Sequence, residues 1–216
     1  MALNPCQPGK GASCAACCGL YTGLSTRAAV ESRLRERFEA FVDKPTEAFA
    51  VSARAMAAAR RSGEAVGGAL GQCALAGFLD REGRRVGCLG HASVTGGRDC
   101  RDLGSFGAFT CEGFRCPSVG AATDDEIALA RDGSDWFLYG LVITDLAFLR
   151  ECLEAVRAAA GRALAPADLE DPGTCAAVRS LFALKERAAP FGDSAFHEPD
   201  LGPLARAVAS AMCASR

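Results

Sequence analysis

The sequence predicts a mainly α-helical fold, a helical domain with a glycine- and cysteine-rich, loop-dominated segment set among its helices. Three observations lead there. Apolar residues recur at helical spacing after residue 25 and again through most of residues 123–214. Residues 63–120, between them, hold more than half of the 24 glycines and show no sustained apolar period. The 12 cysteines are also unevenly placed, with Cys6, Cys14, Cys17, Cys18, Cys73, Cys88, Cys100, Cys111 and Cys116 all in the first 116 residues.

Along the chain, residues 1–24 form an N-terminal cysteine cluster around "CQPGKGASCAACCGLYTG", Cys6 to Gly23. Residues 25–62 read as a helical pair. The first helix has Val30, Leu34, Phe38, Phe41 and Val42 on one face, arginines and glutamates on the other, and Ser25 or Thr26 as its N-cap. The second begins near Pro45, a residue suited to a first helical turn, and stops at Gly63. Residues 63–120 are the glycine- and cysteine-rich segment, with short strands expected near Gly77–Asp80 and Arg85–Gly90. A loop this long needs support in a compact domain, and coordination bonds can organise backbone that has few apolar side chains to bury.

Residues 121–216 form a helical core. "TDDEIALARDG" offers a threonine N-cap, acids in the first turn and a glycine stop. A long core helix is expected from Ser134 to about Arg162, a further helix over Cys175–Ala188, and a last one from about Pro203 to Ala214. No repeat or linker interrupts the chain, so residues 1–216 read as a single domain, long enough to bury its own core.

A formal net charge of -2 argues against nucleic acid or an anionic membrane as partner. The longest apolar run, "WFLYGLVITDLAFL" from Trp136 to Leu149, is shorter than the roughly 20 residues that span a bilayer and contains Asp145. With no basic-then-apolar leader at the N-terminus, the expected location is cytoplasmic. In reducing cytosol, clustered cysteines point to metal binding or thiol chemistry before disulfides.

Cys14-x2-Cys17 has the spacing with which a short loop brings two thiolates to one ion. The adjacent Cys17-Cys18 pair is harder to place on one zinc, because side chains of neighbouring residues tend to diverge. An iron–sulfur cube (4Fe-4S), commonly held by four cysteines, separates its thiolates more widely. Downstream, Cys73, Cys88, Cys100, Cys111 and Cys116 add ligands, as does His91 at Cys88-x2-His91. Cys152, Cys175 and Cys213, scattered through helical segments, read as small buried apolar residues, and His197 lies far from any cysteine pattern.

Cys14-x2-Cys17-Cys18, followed after helices by Cys73…Phe78-Leu79-Asp80…Gly87-Cys88…Cys100-Arg101, resembles the CxxCxxCC family of zinc- or iron-chelating proteins, the YkgJ-like group. The likeness covers about residues 6–102. It departs at Cys6, which stands seven residues before Cys14 where the family has two, and at "GGRD" (Gly96 to Asp99), where the family has Arg-Pro. The resemblance implies a chelating protein with Cys14, Cys17, Cys18, Cys73, Cys88 and Cys100 as the principal ligands. Cys111 and Cys116, beyond the match, are candidates by density and spacing alone. Some flagellin lysine-methylating proteins are similar to this family, so the resemblance also admits a protein substrate or partner.

The expected function is metal binding, with an iron–sulfur cluster serving a redox or protein-modification role. The alternative is a structural zinc module for protein interaction. Arginines at 84, 85, 98, 101 and 115 could offset thiolate charge and tune a cluster's potential. "GGALG" (Gly67 to Gly71) lacks the spacing of a nucleotide-binding fingerprint, and neither histidine sits in a hydrolytic or deaminase motif. Asp145, alone in an apolar stretch, is read either as a base behind the site or as a helix-surface group meeting solvent or a partner.

Overall fold

Thr26 opens the first helix, α1 (Arg27–Phe41): its backbone is extended and its Oγ1 accepts from the Ala29 N–H at 3.3 Å. The computed structural model describes residues 2–21, 26–44, 46–61, 72–188 and 201–214, and over these the protein is mainly α-helical. Contacts divide the chain into two compact units, Ser13–Cys116 and a unit made of Met1–Ala12 with Pro117–Arg216. The first twelve residues therefore group with the C-terminal helices, apart from the Cys14–Cys18 cluster.

In the Ser13–Cys116 unit, α1 buries Val30, Leu34 and Phe41, as its apolar spacing predicts. The expectation that its arginines all face outward is corrected: Arg33 and Arg37 are buried on the same face. Arg37 can be there because the groups it meets are acceptors. It donates to the carbonyls of Cys73 and Ala76, each at 3.0 Å, and to Gln72 Oε1 at 3.3 Å. Helix α2 (Thr46–Arg61) follows a short turn, with the Phe41 and Phe49 rings 4.6 Å apart joining the two helices. The expected Pro45 start and Gly63 stop lie outside the described residues, as does "GGALG".

The two expected strands form one antiparallel hairpin, β1 (Ala76–Phe78) and β2 (Val86–Cys88), with Ala76 opposite Cys88 and Phe78 opposite Val86. Its loop is closed by Asp80, whose carboxylate accepts from the N–H groups of Arg84 and Arg85 at 2.8 and 2.9 Å. Gly77 leaves the space that the Leu89 side chain fills; a Cβ there would stand 2.5 Å from Leu89 Cδ1. The fully buried Phe78 ring packs under α1 and carries the Arg35 guanidinium 5.3 Å above its centroid. A short helix that the sequence reading did not anticipate, α3 (Gly107–Gly113), completes the unit.

The second unit is built from helices with clear starts. Thr123 and Glu126 form a reciprocal capping box on α4 (Asp124–Asp132), and Gly133 ends it. The single long helix expected from Ser134 to about Arg162 is two helices, α5 (Trp136–Ile143) and α6 (Leu146–Ala160). The break has a local cause. Thr144 Oγ1 bonds back to the Gly140 carbonyl at 2.6 Å, and Asp145 caps α6 by accepting from the Phe148 N–H at 3.1 Å. Asp145 Oδ2 also meets Lys185 Nζ at 2.5 Å. The helix expected over Cys175–Ala188 starts earlier, at Pro172 behind an Asp171 cap, and divides into α7 (Pro172–Phe182) and α8 (Leu184–Ala188).

α6 and α7 both pack on α9 (Gly202–Ala214), whose range matches the expected last helix. Leu149, Cys152 and Val156 of α6, Val178, Leu181 and Phe182 of α7, and Val208 and Met212 of α9 are all buried where these helices pack. Tyr139, fully buried, donates its hydroxyl to the Pro5 carbonyl at 2.6 Å and so ties the N-terminal residues to this unit. Among the described residues no helix is long and apolar enough to cross a membrane.

Candidate thiol centre

Two connections bring the N-terminal cysteines against the hairpin. Ser13, buried, donates its hydroxyl to the Val86 carbonyl at 2.5 Å and accepts from the Val86 N–H at 2.9 Å. The Cys73 N–H donates to the Cys18 carbonyl at 2.7 Å. Between them, Ala16–Cys18 makes one tight helical turn, closed by Gly19 at φ +74°. The hairpin register sets Cys88 opposite Ala76, three residues beyond Cys73. Cys100 is fixed by its own N–H, which donates to the Gly90 carbonyl at 2.8 Å.

The chain then turns back over the thiols. Gly104 lies so close to Cys73 that an added Cβ would stand 3.2 Å from its Sγ and 2.9 Å from Leu75 Cδ1, so the close approach requires glycine. Asp102 accepts from the Ala108 N–H at 2.8 Å at the start of α3. Arg101, only 13% exposed, bonds Asp99 at 2.5 Å and reaches Glu112 on α3 at 2.7 Å. That ion-pair chain ties α3, which carries the exposed Cys111, to the segment that follows Cys100.

The thiols respond to one another. Cys18 donates its S–H to the Cys17 sulfur, which lowers the Cys17 pKa to about 7 against the opposing effect of burial. Cys18 is pushed well up by the same bond, by its own burial, and by negative charge at Cys17, Cys73 and Cys88. Cys88 is raised to about 11, chiefly by burial and then by Cys73 and Cys111, with the Gly90 N–H and Arg101 acting the other way. Cys111 is raised by burial and by Cys73, with Arg101 opposing. Cys17, Cys18, Cys73, Cys88 and Cys111 are thus within electrostatic reach of one another, with Arg101 as the adjoining cation.

The other predicted ligands lie as follows. Cys14 and Cys116 are half-buried in the same unit, and Cys100 is buried there. His91 is exposed, its Nδ1 2.8 Å from Ser93 Oγ. Cys6 belongs to the other unit, in the turn closed by the Gln7 N–H on the Asn4 carbonyl. His197 lies outside the described residues. Of the arginines considered as charge partners, Arg101 acts on Cys88 and Cys111, whereas Arg84, Arg85, Arg98 and Arg115 are exposed.

In donor chemistry, five neighbouring thiols suit a thiophilic metal or an iron–sulfur cluster. As the side chains stand, no group of three or more histidine, cysteine, aspartate or glutamate residues among those described forms a set able to hold a metal ion. Ligation would require the protonated thiols, Cys18 above all, to give up their protons.

The sequence reading missed Arg37 and Ser13, which fix the hairpin against α1 and against the N-terminal cysteines. A buried arginine on an otherwise apolar stripe and a serine beside Cys14 are weak signals. Both are legible only once the carbonyls they meet are placed.

No family model matches the chain, and no curated protein or solved structure shows significant similarity to it.

Proposed function

We propose that the Ser13–Cys116 unit is a metal centre, an iron–sulfur cluster site with a redox or protein-modification role. The observation that carries this reading is the gathering of Cys17, Cys18, Cys73, Cys88 and Cys111 from three separate stretches of chain. Of these, Cys73 is buried, Cys18 and Cys88 are half-buried and Cys17 and Cys111 are exposed, whereas Cys152 in the other unit stands alone in an apolar core. Cys17, Cys18, Cys73 and Cys88 would hold the group, with Cys111 beside them. When bound, a cluster supplies one-electron chemistry, with a potential set by its net charge and by hydrogen bonds to sulfur. The chain's part is to pack buried Leu75 beside Cys73, and to place the Arg101 cation and the Gly90 N–H near the sulfur atoms.

Anaerobic purification, elemental analysis and a visible spectrum test the proposal. Iron and acid-labile sulfide with charge-transfer absorbance are expected. Near-stoichiometric zinc without that absorbance would replace the cluster by a structural zinc module for protein interaction. A protein that folds with neither iron nor zinc would overturn both.

A further inference from the structure

Between α1, α2 and the hairpin lies a cavity of about 310 Å³ with no cysteine in its lining. Phe38, Phe41, Phe49 and Phe78 form much of its wall. Its size falls at the lower end for small-molecule sites, which combine apolar walls with a few placed polar groups. Its polar side chains are Thr95, in the chain after the hairpin, and Asp43 and Lys44, in the turn Val42-Asp43-Lys44 that follows α1; only the last two carry charge.

The charges of that turn are unequal. Asp43, at φ +58°, is engaged by Arg81 at 3.1 Å. Lys44 is exposed, and among the described residues no carboxylate lies within ion-pair distance of its ammonium. With Arg81, which stands outside the lining, neutralising Asp43, Lys44 is left as the unbalanced charge beside an aromatic interior. An apolar molecule alone would fill the interior and leave the lysine unmatched, and an amine would be repelled by it. A molecule with an apolar body and one carboxylate matches both.

We propose that this cavity binds a small amphiphilic monocarboxylate, its apolar body against the phenylalanine walls and its carboxylate on Lys44. Alkyl and aryl acids share that chemistry, and calorimetric titration of the full-length reduced chain distinguishes them, with octanoate and 3-phenylpropanoate as probes and octylammonium as the cationic control. At least one acid is expected to bind, with octylammonium about tenfold weaker or more. Lys44→Glu, at an exposed position, should weaken the acid about tenfold or more without altering the far-ultraviolet circular dichroism. Val94→Trp should abolish binding, because Val94 lines the cavity from a partly exposed position, 44% accessible, where a larger ring can fill the space. The proposal is overturned if neither acid binds at millimolar concentration, if octylammonium binds as well as the acids, or if Lys44→Glu binds them unchanged.

Discussion

The two units of this chain solve the problem of holding a fold in different ways. The unit of Met1–Ala12 with Pro117–Arg216 relies on helices with well-formed caps, at Thr123, Asp135, Asp145 and Asp171, and on an apolar core contributed by α6, α7 and α9. The Ser13–Cys116 unit has two longer helices, a three-residue hairpin and much irregular backbone. There, specific polar contacts fix the irregular chain against an apolar core of Val30, Leu34, Leu75 and Phe78: Arg37 on two carbonyls, Ser13 on Val86, Asp80 in the hairpin loop. Cysteines follow the same division. Cys152 is a core residue whose thiol burial pushes up to about 12, whereas Cys17, bonded by its neighbour, is lowered to about 7. The residue type alone says little; its neighbours decide whether it packs or reacts.

The sharpest way to break the helical unit is to empty its core. Phe182→Ala should cost about 3–5 kcal/mol, read as a lower thermal midpoint, with metal content per folded chain unchanged. Arg37→Ala should act on the other unit, removing the Arg37 donor from the Ala76 carbonyl and leaving the Cys73 carbonyl with the Ala76 N–H, at a cost of about 1–3 kcal/mol. Hydrogen exchange should then accelerate at β1 and β2 and stay unchanged in α6 and α9; a uniform acceleration would contradict the division.

Smaller again is Asp145→Ala, which removes the α6 cap and the partner of Lys185, for about 1–2 kcal/mol. Asp145→Asn, which keeps the cap, should lose less in the same denaturation experiment.

The smallest effect is a dependence on pH. Arg131 and then Lys10 hold Asp132 below the usual carboxylate range, and Arg150 does the same for Glu126. A depressed folded pKa gives stability that is present above the unfolded value, about 4, and is lost as pH falls through the folded value. The helical unit should therefore weaken in acid below about pH 4 by a few tenths of a kcal/mol per group, because these pairs are partly exposed. Asp132→Asn should flatten part of that slope.

Much of this fold is written locally. The capping signal in "TDDE", the helical stripe Val30-Leu34-Phe41 and the two short strands are each set by residues within a few positions of one another. The break between α5 and α6 is hidden because the apolar pattern runs on through Thr144 and Asp145, and only the side-chain bonds of those two residues mark the end of one helix and the start of the next. Helix α3 is hidden for the opposite reason. Its seven residues carry an exposed phenylalanine, Phe109, and too few apolar neighbours to show a period. In the thiol centre, spacing picked out the cysteines, but the approach of Cys18 to Cys73 depends on a backbone bond across more than fifty residues. The clamp of Arg101 on Glu112 is likewise a matter of where α3 lies.

The most direct test of the division is metal content in two serine variants isolated anaerobically. Cys73→Ser removes a thiol at the centre of the cluster, and Cys152→Ser removes one equally buried in the helical core. On the proposed reading of the thiol centre, Cys73→Ser loses most of the metal and the visible absorbance while Cys152→Ser retains both. Equal retention in the two variants would contradict it.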